Sequence, residues 1–211
     1  MHSEVFDFLD TNGAGKSTVL SIITQEQLPT GGRAYVCGND VVRERHHAAR
    51  CLGYCLQFGA CLGLLTLTGH LRLYAMVRGV PVGQLGSLVT SLPAIRNLTE
   101  YRHVFACQLL GGSPCKLNVA IALISAPKVV CLDEPASRMD PLARQQRWRV
   151  LDRVPRKSSI ILMTHHLEEA EALADCVGIM VDSALRRLGD LPHLKHKYAR
   201  NAYELTLRVS P

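Results

Sequence analysis

Glu4-Val5-Phe6-Asp7-Phe8-Leu9-Asp10 followed by Thr11-Asn12-Gly13-Ala14-Gly15-Lys16-Ser17-Thr18 is the stretch on which the reading of this chain turns. The first part alternates as a strand does, and a helical pattern from Lys16 to about Gln25 follows the glycines, with Val19, Leu20, Ile22 and Ile23 facing inward. Strand, glycine-rich turn and helix in that order match the phosphate-binding pattern G-x-x-x-x-G-K-[ST], whose end is supplied by Gly15, Lys16 and Ser17. Small residues at Gly13, Ala14 and Gly15 let successive backbone N–H groups converge on an anion at the helix N-terminus. Lys16 would then reach the outer phosphates and the Ser17 hydroxyl would ligate Mg²⁺. Asp10 stands where the pattern asks for glycine. A carboxylate roughly 5 Å from a phosphate charge costs on the order of 3 kcal/mol at an effective dielectric near 20, about a hundredfold in affinity. The plainer alternative is a helix-entry loop with Ser17 near a cap.

Working outward, the chain of 211 residues is long enough for one domain with a proper core, and 47% hydrophobic with 20% charged residues describes a globular protein. No apolar run approaches the roughly 20 residues needed to span a bilayer, and Met1-His2-Ser3-Glu4 has no features of a secretory signal, so the cytosolic side is expected. The net charge of +6 suits an anionic ligand, an anionic lipid surface or nucleic acid. Its densest part, Arg186, Arg187, Lys195, Lys197 and Arg200, reads as a solvated helix face, with lipid headgroup contact as the sharper reading. Eight cysteines without a C-x-x-C pair suggest neither a metal site nor a disulfide framework, and His46-His47 reads as surface loop.

Pro29-Thr30-Gly31-Gly32 is turn chemistry, and Arg33 to Val36 and Leu52 to Cys55 read as short strands, the second leading to Gln57. A helix is expected from about Thr68 to Arg78, and short helices interrupted by Gly83, Gly86 and Pro93 after it. Gly111-Gly112 opens a helix running to about Ala126. Lys128-Val129-Val130-Cys131-Leu132-Asp133-Glu134 is an apolar run closing in two carboxylates, as a buried parallel strand does when its carboxyl end faces a site. Ser159 to Met163 is a second such strand closing in Thr164-His165, followed by a helix over Glu168 to Ala174 and a strand over Val177 to Val181. The alternation predicts an α/β fold, a mostly parallel sheet with helices on both faces, and the phosphate-loop pattern makes it one of the P-loop NTPase kind.

In a nucleotide-hydrolysing site Asp133 would hold Mg²⁺, Glu134 would polarise the attacking water, His165 would contact the γ-phosphate, and Gln57 would reach both metal and water. Four such residues in this order resemble the ATP-binding cassette (ABC) family, and specifically the nucleotide-binding domains of its A subfamily, the lipid exporters. The phrases that carry the resemblance are Asn12 to Thr18, Leu52 to Gln57, Gly111-Gly112 with Ala120 to Leu123, Leu132 to Pro135, Met139-Asp140-Pro141, and Met163 to Ala170; Leu188-Gly189 and His193 to Lys195 resemble the subfamily's tail. The resemblance implies one nucleotide-binding domain over 1–211, with a RecA-like core at about 1–65 and 127–189, a smaller helical lobe carrying the signature motif at about 66–126, and a tail from about 190. It implies ATP and Mg²⁺ as ligands, with Asn12, Gly13, Ala14, Gly15, Lys16, Ser17 and Thr18 on the nucleotide. Gly111 and Gly112 would point at ATP on a second nucleotide-binding domain, with Asp140 in the loop connecting the two sites. It further implies transmembrane domains on other sequence, no nucleic acid, and a place at the cytosolic face of a membrane.

This chain departs from the family pattern at several places. Leu110 stands where the signature has serine, Arg138 where the loop near Asp140 has glycine, and Gly59 where an acid follows the glutamine. Only nine residues precede Asp10, so the expectation is a fragment, a truncated gene model or a decayed copy, lacking the aromatic residue that stacks on adenine. Three functions are therefore weighed: an ATP-hydrolysing cassette powering lipid export; a degenerate cassette with weak or no ATPase activity acting as a regulatory or interaction module; and a soluble cassette acting on nucleic acid, which the charge permits and the tail opposes.

Overall fold

The computed structural model describes residues 4–10, 15–55, 61–95, 98–110, 113–134 and 158–198. At its centre is a six-stranded sheet in the order β4-β5-β6-β1-β7-β8, formed by β1 (Val5–Asp10), β4 (Leu52–Cys55), β5 (Val129–Asp133), β6 (Ser159–Thr164), β7 (Cys176–Val181) and β8 (Ala184–Gly189). The first five strands in that order run parallel, and β8 closes the edge antiparallel to β7. β2 (Tyr35–Val36) and β3 (Asn39–Asp40) form a separate small hairpin.

Why these stretches become central strands is visible in their alternation. Val130 and Leu132 of β5, with Ile160 and Leu162 of β6, pack on one face against Val119, Ala122 and Leu123. Cys131 and Met163 turn to the other face, against Leu20, Val36, Val41, Ala48 and Leu52. A sheet buried on both faces needs a continuous apolar run, which β5 and β6 have. Leu20 belongs to α1 (Lys16–Ile23), so the helix behind the glycine-rich turn covers the second face.

The first face is covered by α5 (Ser113–Ala122), which also joins α3 (Leu67–Val77) and α4 (Val82–Ile95) in a separate helical cluster built on Leu67, Leu71, Ala75, Val89, Leu117, Ala120 and Ile121. Thr66 caps α3, its hydroxyl accepting from the Gly69 N–H at 3.1 Å. Finally α6 (Leu167–Leu173) and α7 (Leu191–Tyr198) enclose Ala170, Val177, Leu191 and Leu194 beside β7.

Three expectations are corrected. His46-His47 lies in a helix, α2 (Arg45–Cys51), whose buried residue is Ala48. Gly83, Gly86 and Pro93 do not break the segment they occupy: α4 is one helix of 14 residues with Pro93 in its last turn. Arg186 and Arg187 stand on the edge strand β8, not on a helix, although Lys195 and Lys197 do lie on α7.

Candidate functional site

Because β5, β6 and β1 are parallel neighbours, their carboxyl ends open on the same edge of the sheet, the place where open α/β folds hold ligands. β5 delivers Asp133 and then Glu134, β6 delivers Thr164 and His165, and β1 leads toward Gly15 and Lys16 at the head of α1. Gly15 is the N-cap of α1 at φ +92°, a left-handed conformation that a side chain resists, so this glycine is required by the backbone. Lys16 is 9% exposed, whereas Ser17 and Thr18 are exposed on the first turn.

The closest functional contact is between Glu134 and His165, whose Oε1 and Nδ1 are 3.3 Å apart with both side chains partly open to solvent. Glu134 has φ +37°, an unusual conformation for a carboxylate residue, and its N–H is held by the Met163 carbonyl at 2.9 Å. That bond ties the turn after β5 to β6, so the glutamate's position is set by the neighbouring strand. The turn carrying His165 is fixed in a similar way. Thr164 donates its hydroxyl to Glu169 Oε2 at 2.8 Å and accepts the His166 N–H at 3.0 Å. The His165 and His166 rings lie 4.0 Å apart, tilted by 40°.

Electrostatics sort the acids. Burial raises the pKa of Asp133 from its ordinary value, Glu134 and Glu26 add to this, and Lys16 opposes it. A half-buried carboxylate crowded by two others is stabilised by a cation, and this is the donor expected to take Mg²⁺. Among the described residues no three His, Cys, Asp or Glu side chains gather into a metal cage. Mg²⁺ held by one carboxylate, a hydroxyl, waters and phosphate oxygens needs none, so Asp133 and Ser17 fit the ion. Asn12, Gly13, Ala14, Gln57, Gly111, Gly112, Arg138 and Asp140 lie outside the described residues, as does Gly59. Leu110 is described and is 82% exposed.

Sequence patterning assigns no role to Asp7, Thr164 or Glu169, yet they sit directly behind the site. Asp7 is fully buried in β1 and Glu169 is 1% exposed on α6. Among the described residues neither Asp7 carboxyl oxygen has a partner in good hydrogen-bond geometry. Burial, then the Glu169 charge, push the Asp7 pKa to about 8, against the opposing pull of the Thr164 backbone N–H and Lys16. The signal available in the sequence was an acid at the centre of the apolar stretch Val5-Phe6-Asp7-Phe8-Leu9.

Comparisons with known proteins agree with this geometry. A family model described as ABC transporter matches residues 2–137. ATP-binding cassette sub-family A member 7 of Mus musculus is 41% identical over 209 residues, covering 99% of this chain and 10% of that protein. The retinal-specific phospholipid-transporting ATPase ABCA4 of Homo sapiens is 38% identical over 207 residues, covering 98% of this chain and 9% of that protein. The chain therefore spans about a tenth of the length of the curated relatives it matches. Among solved structures, one described as the ATP binding subunit of an ABC transporter superposes with a TM-score of 0.81 at 25% identity, covering 96% of this chain and 85% of that one. A P-loop NTPase fold, a glycine-rich turn ahead of Lys16, and Asp133, Glu134 and His165 at one sheet edge thus coincide with whole-chain similarity to A-subfamily cassettes: the chain belongs to the ABC transporter family, as an ATP-binding cassette of its ATPases.

Proposed function

We propose that this cassette binds MgATP at the shared carboxyl edge of β1, β5 and β6 and hydrolyses it to power lipid export through transmembrane domains on other sequence, at the cytosolic face of a membrane. The observation that carries the reading is the 3.3 Å approach of His165 to Glu134 beside Asp133 and Lys16. Asn12, Gly13, Ala14 and Gly15 would cradle the phosphates with backbone N–H groups, Lys16 would neutralise the outer ones, and Thr18 would complete the first turn around them. Mg²⁺, held by Ser17, Asp133 and Gln57, would neutralise charge on the phosphate oxygens. Glu134 would accept a proton from the attacking water, and His165, oriented by Glu134, would face the γ-phosphate.

Gly111 and Gly112 would close on ATP held by a second nucleotide-binding domain, which makes one chain half of a hydrolytic unit. The helical cluster, about 66–126, is then the lobe that carries this signature. Among the described residues no helix is long and apolar enough to cross a membrane.

A second reading, a degenerate cassette that acts as a regulatory or interaction module, is favoured by one observation. Leu110 presents an exposed apolar side chain where a γ-phosphate of the partner's nucleotide would need a hydroxyl. Thermal unfolding with MgATP separates the two. Binding at a hundredfold excess over Kd adds about 2.7 kcal/mol of stability, and Lys16→Ala should remove it. Failure of millimolar MgATP to move a cooperatively folded chain would favour the degenerate reading. Turnover by the isolated chain is expected to be slow or absent, and robust turnover by the purified monomer would overturn the half-site assignment.

A further inference from the structure

α3 buries Leu67, Leu71 and Ala75, and the remaining buried side chain on that face is a fully enclosed histidine, His70. A leucine there would fill the space without enclosing two polar nitrogens, so what the histidine adds is its bonds. Nδ1 lies 2.9 Å from the Thr66 carbonyl oxygen, which can only accept, so Nδ1 donates. Nε2 accepts the Leu62 N–H at 2.7 Å. The first bond is local, to the N-cap of α3, and fixes the ring; the second reaches across to the incoming chain. That chain joins the sheet to the helical cluster. β4 ends at Cys55, in register with Leu132 of β5; Gln57 follows it in the sequence, and Leu62 comes next among the chain's fixed points. Beyond Leu62 the Cys107 N–H donates to the Gly63 carbonyl at 3.2 Å and the Ala106 N–H to the Leu65 carbonyl at 2.9 Å. Before it, Cys61 Sγ donates to Asn118 Oδ1 of α5 at 3.1 Å. A thiol is a weak donor, so among the described residues the firmest tie on the side nearest Gln57 is the bond from Leu62 to His70.

We propose that His70 is a positioning residue for Gln57, and that by holding the Leu62 N–H it sets how well Gln57 serves Mg²⁺; the inference rests on the nucleotide reading given above. Gln57 stands between two posts, Cys55 in the sheet and Leu62 on the His70 ring. Fixing both ends of a short segment removes most of the arrangements its residues could otherwise sample. His70 itself makes no contact with nucleotide or metal in this scheme and acts only through the backbone of Leu62. Groups that orient a metal's donors without touching the metal typically change its affinity tenfold or more.

The test is titration of the chain with ATP in Mg²⁺ and with ATP in EDTA, the ratio of the two dissociation constants being the Mg²⁺ contribution to binding. His70→Leu nearly keeps the side-chain volume and removes both bonds; it should cut that ratio about tenfold and leave the EDTA value unchanged. His70→Gln, whose amide supplies one donor and one acceptor, should restore the ratio. Gln57→Ala should lose as much as His70→Leu, and the double variant no more than either, because the two act in series. In wild type the Leu62 N–H should be protected from hydrogen exchange although its side chain is 51% exposed, and His70→Leu should abolish that protection. An unchanged Mg²⁺ contribution in His70→Leu, a further loss in the double variant, no recovery in His70→Gln, or an unprotected Leu62 N–H in wild type would each overturn the inference and leave the nucleotide reading standing. The wild-type exchange and the His70→Gln titration decide the matter even where His70→Leu does not fold. Absence of ATP binding by wild type, with and without Mg²⁺, would overturn the nucleotide reading, and this inference with it.

Discussion

Gly53→Ala tests how β4 and α5 meet. Gly53 points from β4 toward the end of α5, and a Cβ built there lies 2.1 Å from the Ala122 carbonyl oxygen, 2.8 Å from Pro127 Cγ and 3.1 Å from the Ala122 carbonyl carbon. Ordinary carbon to oxygen contact is about 3.2 Å, so the last turn of α5 has to retreat by about 1 Å from a close-packed interior. The obstacle is backbone and the ring of a proline, neither of which can rotate away. A clash of that kind reaches about 3 kcal/mol or more. For a chain of this size each kcal/mol moves Tm by roughly 2 to 4 °C, which gives a fall of about 6 to 12 °C. Thermal unfolding followed by far-ultraviolet circular dichroism reads this directly. Gly86→Ala is the control, because its Cβ would meet nothing within 4 Å on an exposed turn of α4 and should stabilise by about 0.5 to 1 kcal/mol. A Tm for Gly53→Ala within about 1 °C of wild type would refute the packing argument.

Thr164→Val keeps the shape of the side chain and removes the hydroxyl that joins Glu169 to the His166 N–H, leaving a buried carboxylate without that donor. A loss of about 3 kcal/mol in denaturant unfolding is expected, and an unchanged midpoint would show that the bond is not formed in solution. Asp7 makes stability depend on pH with a definite sign. It releases its proton near 3.8 when unfolded and near 8 when folded, so the folded chain binds more protons between those values. Its contribution to stability is fully present below about pH 4, declines as pH rises and is lost through pH 8, a swing on the order of 5 kcal/mol that Asp7→Asn should flatten in nucleotide-free unfolding. A wild-type profile as flat as that of the variant would show that Asp7 is already ionised in the folded state.

How much of this was legible depended on where each element is buried. β5 and β6 could be read because both faces of the sheet are covered and nearly every residue in the run is apolar. β8 could not, since Ala-Leu-Arg-Arg-Leu-Gly is an edge strand with Leu185 and Leu188 more than half exposed, and no alternation survives. α2 escaped for the opposite reason: seven residues with one buried side chain, Ala48, give no period to detect. In α4 the glycines face open space, and Pro93 falls in the last turn, so the bond it removes ends the helix rather than dividing it. Lys16, Asp133, Glu134 and His165 were legible because each follows directly on a strand or turn signal. The pairing of Asp7 with Glu169 was not, because it needs the register of β1 against β6 and the packing of α6 above them.

The geometry divides the site into two halves that fail differently. Glu134 and His165 are placed by the ends of β5 and β6, through the register that sets Asp133 beside Met163 and the bond from the Glu134 N–H to the Met163 carbonyl. Lys16, by contrast, follows from β1 and shares its field with Asp7, one of the chain's departures from an ordinary apolar strand. On the proposed function, changes along β1 act on how tightly phosphate is held, whereas changes at the ends of β5 and β6 act on what happens after it is held. Kinetics can tell these apart in an assembled transporter carrying this cassette. Lys16→Ala should raise KM for ATP, and Glu134→Gln should abolish kcat while binding persists. A KM for ATP unchanged by Lys16→Ala, or raised by Glu134→Gln, would mean that the two halves are not separable in this way.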